Sequence, residues 1–496
     1  MGARAFRADQ RKGHPDLLVL GRRASEGPLV QDWRPHSLTA GRGVNPGGED
    51  RDVYAEDHLF SGGFLVDPSR SVAGDRDVLV RQGRVERVAP SLRPYGQWKQ
   101  EGRRLCVWDL RGLCLLPGFV DIHTHLRVPG QEHKETISSG TQAAAAGGFT
   151  TILAMPNTQP CVDRVRVLRA LKKRLARESV VRVHVVAAVT QGQKGKRLAP
   201  LEDLRAEGAV AFSDDGFSVR DAKLFREALL LVERLGCPVI SHCEDPALSA
   251  GGIVQEGQVA MRFGVRGIPA AAEEVMVARD ILLAADTGAR LHLAHVSTAK
   301  SLKMVRLAKE AGLAVTAEAA PHHFILNDEA VLRWGSNAKM NPPLRPERDR
   351  RAVLEAIRDG TVDAVASDHA PHHPDEKARS LSEAPFGVIG LETTVPLLCT
   401  LVEDGVLGIE RAVELLTRGP AAAMGLGAGS VAQGRDADLV VLDRERRFRI
   451  DVHAFRSKAR NSPFHGRDVF GKVLATLVQG RVVWQEADVA GRKEWI

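Results

Sequence analysis

The sequence predicts an α/β chain: a (β/α)8 TIM-like barrel with a small β-sandwich domain built from both ends of the chain. Three observations carry this. Strand-like apolar runs alternate with segments of helical periodicity between residues 119 and 366. Short strand patterns separated by turn residues flank that region on both sides. Polar residues able to do chemistry collect where the apolar runs end, which is where parallel barrels carry their sites.

The bulk properties bound the rest. A chain of 496 residues suits a large barrel with an appendage. With 44% apolar and 26% charged residues it reads as a soluble globular protein. The net charge of +7 comes largely from the first few dozen residues and the stretch 444–449. Because no basic helix with interleaved aromatics accompanies it, nucleic acid is not an expected partner. Cys106, Cys114, Cys161, Cys237, Cys243 and Cys399 lack CxxC spacing, which suits free thiols in a reducing cytoplasm. No membrane span or secretion signal is expected, since no apolar run reaches about eighteen residues and the N-terminus lacks an apolar core segment.

Taken in order, residues 1–57 are rich in Arg, Gly, Pro and Asp and read as a basic flexible extension, with one candidate strand at 17–20. Residues 58–116 form the first part of the small β domain, with strands at 62–67, 77–80 and 84–88. The barrel occupies 117–426. It opens with a turn at Pro117-Gly118 and a strand at 119–122, followed by strands at 150–155, 182–189, 209–212, 238–241, 291–294, 314–317 and 362–366. Helical spacing of apolar residues marks 135–146, 163–176, 222–235, 270–285, 299–311 and 348–359. Residues 427–496 return to strand patterning at 437–442 and 473–483 and complete the small domain.

His123 and His125 sit two apart at the end of the first barrel strand, so their imidazoles face one space. Such a pair suits a zinc-like ion, and Arg127, two residues on, can hold an anionic substrate beside it. His-x-His also occurs by chance, so the reading needs further ligands. The other strand ends supply them: Ser213-Asp214-Asp215-Gly216 after the fourth, His242 after the fifth, His295 after the sixth and Ser367-Asp368-His369 after the eighth. Four imidazoles and two carboxylates would close two adjacent metal sites. His292 points to the other face and reads as a packing residue, His322-His323 stand outside the ligand set, and at most one of His369, His372 and His373 need face a substrate. Paired divalent ions serve hydrolysis, and a carboxylate at strand eight is placed to move a proton from water to a leaving nitrogen. The reaction class is amide or ester hydrolysis, or its reverse.

Several motifs are distinctive together: residues 117–127, Ala143 to Thr151, Met155-Pro156-Asn157-Thr158, Phe212 to Gly216, His242-Cys243-Glu244-Asp245, His295-Val296-Ser297-Thr298, Pro321-His322-His323, Lys339 to Arg345, Ser367 to His372 and Ala384 to Thr393. From Leu59 to its end the chain resembles the amidohydrolase superfamily, and within it the bacterial type I dihydroorotases. The resemblance implies reversible cyclisation of N-carbamoyl-L-aspartate to L-dihydroorotate in pyrimidine (UMP) biosynthesis. It implies two Zn2+ ions, one held by His123, His125 and Asp368 and the other by His242 and His295. Asp215, 27 residues ahead of His242, takes the bridging place that a carboxylated lysine holds in related hydantoinases. Asp368 is also the implied acid/base. Arg127, Asn157 and His372 match positions that grip the substrate carboxylate, and Asn341 one that touches the pyrimidine ring. An aspartate carbamoyltransferase partner and a homo-oligomer fit some members of the family. Val128 stands where the family usually has an acidic residue, and Ala320 where a threonine usually precedes the proline. The rival readings are a hydantoinase, dihydropyrimidinase or allantoinase, against which the lysine-free strand four and Arg127 count, and a silent homologue scaffolding the transferase, whose mark would be missing ligands.

Overall fold

The structure, a computed structural model, describes residues 56–100 and 103–496. The expected N-terminal extension, with its candidate strand at 17–20, lies outside the described residues up to residue 55.

Eight parallel strands follow one another in chain order across one sheet: Phe119–Thr124, Phe149–Ala154, Arg182–Ala187, Ala211–Phe212, Val239–Ser241, Leu291–Leu293, Val315–Ala319 and Ala364–Val365. The seam between eighth and first is spanned where the N–H of His125 donates to the carbonyl of His369 at 2.9 Å. Inside, Val120, Ile122, Leu153, Val186, Ala211, Ile240, Ala294 and Ala364 form a buried cluster that continues onto Ala421, Ala423 and Met424 of the helix Arg418–Met424. The barrel is therefore a packed core with its chemistry at one end.

Several strands are shorter than the sequence suggests: the third ends at Ala187, the fourth keeps only Ala211–Phe212 and the eighth only Ala364–Val365. Asp214 leaves the fourth strand to accept from the N–H of Thr190 at 3.0 Å, and Asp363, just before the eighth, accepts from the N–H of Ala317 at 2.8 Å. The helices start where side chains cap them: Thr136 accepts from Ser139 N–H ahead of Ile137–Ala146, and Asp221 from Lys223 and Leu224 ahead of Ala222–Arg234. Each cap contributes about 1 kcal/mol. No helix among the described residues is long and apolar enough to cross a membrane.

The second sheet has nine strands drawn from both sides of the barrel: Asp57–Asp67, Val72–Arg81, Arg84–Ala89, Leu105–Asp109, Cys114–Pro117, Leu439–Arg449, Asp468–Val478, Arg481–Gln485 and Lys493–Trp495. It is one sheet that forks. The first half of Asp57–Asp67 pairs with Leu105–Asp109 and its second half with Cys114–Pro117, across a register break between Phe60 and Gly63 on its opposite edge. Phe60, Trp108, Leu439 and Leu477, all fully buried, fill the space between the branches. Burying one such side chain contributes about 1.5–3 kcal/mol.

Sheet and barrel are joined at Gly118, which follows the strand Cys114–Pro117 directly. A Cβ there would lie 2.1 Å from Thr150 Oγ1, so only glycine lets the first barrel strand approach the second this closely. Arg182 adds a polar tie from the start of the third barrel strand, 2.6 Å from Asp438 and 3.1 Å from Asp436.

Candidate metal centre and the cationic wall beside it

The six polar residues expected to be ligands come together at the strand ends, and all are buried. His123 Nε2 lies 3.2 Å from Asp215 Oδ1 and 3.7 Å from Asp368 Oδ1, and His125 Nε2 lies 3.2 Å from Asp368 Oδ1 and 3.5 Å from Asp215 Oδ2. On the other side of Asp215, His242 Nδ1 is 3.6 Å and His295 Nε2 3.7 Å from the same Oδ1. The two nitrogens are 3.0 Å apart. Asp215 thus reaches two groups, His123/His125/Asp368 and His242/His295. Asp214 is turned away, spending both oxygens on Thr190.

The donor set fits divalent metal. His123 Nε2 and Asp215 Oδ1 are buried without a hydrogen-bond partner although they face each other, which suits a cation shared by lone pairs. Imidazole and carboxylate donors converging in this way match zinc or a similar ion. Burial alone would push the Asp215 carboxyl up, but His123, His242 and His295 hold it well below the usual carboxylate range.

Two of these residues pay for their position in backbone strain. His295 and Asp368 have φ of 33° and 46°, and Arg127 has 61°. Left-handed backbone at such residues costs about 1–3 kcal/mol each and persists only where the surroundings over-determine it. Here Asp121, fully buried in the first strand, accepts from the N–H groups of His123 at 3.1 Å and Ser367 at 3.2 Å, so one carboxylate fixes the backbone on both sides of the seam. Glu318 accepts from the N–H of His295 at 3.3 Å.

The far nitrogens of three imidazoles are also held, which sets tautomer and ring orientation. Glu318 Oε1 lies 2.5 Å from His123 Nδ1, and its other oxygen 3.1 Å from His292 Nε2. Asn157 Oδ1 lies 2.9 Å from His125 Nδ1. Glu244 Oε2 lies 3.3 Å from His242 Nε2 and accepts from Asn341 at 2.8 Å. Asn157 and Asn341, expected to touch substrate, therefore also stand directly behind ligand histidines. Of the remaining histidines, His292 bonds Thr316 at 2.8 Å, His323 the carbonyl of Pro342 at 2.9 Å and His369 lies 3.4 Å from Glu135. His322 is buried with Nε2 unpartnered.

Beside the centre stands a cationic wall. Arg127 is 8% exposed, donates Nε to the carbonyl of Pro371 at 3.2 Å and keeps Nη2 3.4 Å from His372 Nε2. His372 Nε2 faces the carbonyl of Phe386 at 2.8 Å, and Lys134 Nζ lies 3.3 Å from its Nδ1. Burial, with Arg127, Lys134 and Lys377 around it, holds that imidazole far below its ordinary range, hence neutral. Val128, next to Arg127 in the chain, is 2% exposed.

Sequence reasoning missed Asp121, Glu318, Glu244 and Lys134 as parts of the site. A signal existed for the first two: a carboxylate inside an otherwise apolar buried strand must have a partner, and a ligand histidine needs one for its second nitrogen.

Comparison with known proteins bears on this geometry. A family described as dihydro-orotase-like matches residues 112–301, and the amidohydrolase family matches 285–484. A dihydroorotase of Pelotomaculum thermopropionicum is 47% identical over 429 residues, covering 86% of this chain and 98% of the relative. One of Syntrophus aciditrophicus is 46% identical over 428 residues, covering 86% and 99%. Among solved structures, the L-hydantoinase (dihydropyrimidinase) of Arthrobacter aurescens superposes with a TM-score of 0.78 at 26% identity, covering 87% of this chain and 96% of that one.

Proposed function

The chain belongs to the dihydroorotase family of the amidohydrolase superfamily, and from that premise we propose that it interconverts N-carbamoyl-L-aspartate and L-dihydroorotate, a step of pyrimidine synthesis, at the centre described above. The observation that carries the reading is the convergence of six buried ligand side chains next to a guanidinium wall. His123, His125 and Asp368 would hold one zinc, His242 and His295 a second, with Asp215 between them. Bound there, divalent ions lower the pKa of water toward about 7 and polarise the amide carbonyl.

The chain's own residues do the rest. Asp368, whose Oδ1 lies 3.2 Å from His125 and 3.7 Å from His123, would take the proton of the attacking water and deliver it to the leaving ring nitrogen. Glu318 and Asn157 keep His123 and His125 aimed at that space. Arg127 presents a planar fork to the substrate carboxylate, while Lys134 beside it is paired with Glu376 at 3.3 Å. His372, neutral and tied to Phe386, shapes the wall between them.

The fold is shared with hydantoinases, so substrate choice has to come from the carboxylate. Removing a charge-assisted contact costs about 2–5 kcal/mol when its partner stays buried. Arg127→Met should lower kcat/KM for L-dihydroorotate by roughly thirtyfold or more and leave the poor rate on dihydrouracil almost unchanged. Steady-state kinetics on both substrates check it. Equal losses on the two, or a wild type preferring dihydrouracil, would move the chain to the hydantoinase reading.

Asp215 as the bridge makes a separate prediction. Protein stripped of metal and reloaded with zinc should recover the same activity with or without added bicarbonate. A bicarbonate requirement would mean that a carboxylated lysine bridges instead. Metal analysis paired with the dihydroorotate assay tests the function itself, on protein alone and with added aspartate carbamoyltransferase. Turnover confined to the mixture would make the transferase a required partner, and no metal and no turnover in either would refute the reading.

A further inference from the structure

Where the first and eighth barrel strands meet, a piece of chain from outside the barrel is threaded into the site. Between Leu439–Arg449 and Asp468–Val478 the second sheet is interrupted, and residues 455–464 run without regular structure apart from turns. A surface connection would be exposed. Here Ser457, Asn461 and Ser462 are polar and yet no more than 3% exposed.

Asn461 uses its whole amide. Its Oδ1 accepts from the N–H of His372 at 3.2 Å, and its Nδ2 donates to the carbonyls of Ala370 and Gly387, each at 3.0 Å. Its own carbonyl accepts from the N–H of Ile389 at 2.9 Å. One side chain thus joins the loop after strand eight to the turn at Phe386-Gly387, whose carbonyl faces His372. Four residues earlier, Ser457 Oγ donates to Glu135 at 2.5 Å and Lys458 N–H to the same carboxylate at 3.2 Å. Glu135 lies in the loop after strand one, beyond Arg127. The segment therefore grips both loops that make the cationic wall. None of the hydrogen bonds made by the Asn461 side chain reaches a proposed metal ligand.

We infer that Asn461 is a positioning residue for substrate binding: it holds His372 and the Phe386-Gly387 turn in one arrangement, so that the wall carrying Arg127 meets the substrate carboxylate already shaped. This rests on the reading of that wall as the carboxylate side. Misplacement by about 1 Å at such a site can cost up to about a hundredfold. Because the metal ligands are untouched, the loss should fall on binding and leave chemistry intact.

The test compares Asn461→Ala and Asn461→Asp with wild type. The aspartate has the same volume and keeps the acceptor for His372, but it sets a carboxylate against two carbonyl oxygens, so it isolates the two donated bonds if the alanine variant fails to fold. Expected are a KM for L-dihydroorotate raised about tenfold or more, a kcat within about threefold of wild type, and unchanged metal per subunit. Amide exchange should speed up at Ala370, His372 and 387–389 and stay unchanged around His242 and His295. A folded, metal-loaded Asn461→Asp with wild-type KM overturns the proposal, as does a loss in kcat equal to the rise in KM, or loss of metal. Wild type that fails to turn over dihydroorotate overturns the functional reading itself and this proposal with it, whereas an active wild type with indifferent variants overturns only the role of Asn461.

Discussion

Asp368→Asn is expected to keep metal bound while losing more than about a hundredfold in kcat, the scale of a positioned acid/base. The amide retains an oxygen that can stay near His125 Nε2, now 3.2 Å from Asp368 Oδ1, so the ligand set is weakened and not emptied. What it cannot do is accept and return a proton. Burial opposes charge on Asp368, yet the hydrogen bond with His125 and the charge of His123 and His295 hold its carboxyl below the ordinary range. It is therefore ionised at neutral pH and loses base function only as pH falls. In wild type kcat/KM should decline on the acid side, and in the asparagine variant that acid limb should flatten onto a low baseline. The measurements are metal content, kcat and the pH–rate profile of both proteins. An unchanged profile would assign the proton to another group.

How much of this was legible in the sequence depends on the range of the interaction concerned. His123 and His125 could be read because two residues on one strand share a face whatever the tertiary structure. His242, His295 and Asp368 could be read because each ends an apolar run, and parallel strands of a barrel end together. Asp215 over Asp214 was different. The strand end alone left both open, and the choice came from the resemblance, whose 27-residue spacing to the strand-five histidine selects Asp215; in the structure a pair of bonds turns Asp214 toward Thr190. The fork in the second sheet was not legible, because the strand pairing of Leu105–Asp109 and Lys493–Trp495 joins residues almost four hundred apart and neither has a long alternating pattern. Asn461 was illegible for the same reason. A polar residue in an irregular stretch reads as exposed, and only its partners, His372 and Gly387, reveal that it is buried.

The second large effect separates two ligands that the sequence treats as equivalents. His123→Ala and His125→Ala should both empty the centre and cut turnover by more than the about 10- to 100-fold that losing an outer partner of a ligand costs. Their effects on stability should differ. His125, whose pKa burial keeps below its ordinary range, is backed by Asn157, a neutral group that can take a water, and fronted by the carboxylate of Asp368. His123 is backed by Glu318, 1% exposed, and fronted by Asp215, 2% exposed. Burial opposes charge on His123, but Asp215 and Glu318 on either side raise its pKa well above the ordinary range, so in metal-free protein it is the cation between two buried carboxylates. Removing one partner of a buried ion pair costs about 3–5 kcal/mol, because the charge left behind is uncompensated. Chelated His123→Ala should therefore unfold at clearly lower urea than chelated wild type, and chelated His125→Ala between the two, since it gives up the bond to Asp368 but no buried cation. Adding zinc should raise the midpoint of wild type, by binding the folded state alone, and of neither variant. Equal midpoints for the two metal-free variants would show that Glu318 is satisfied without His123, and full metal content in either would remove that histidine from the centre.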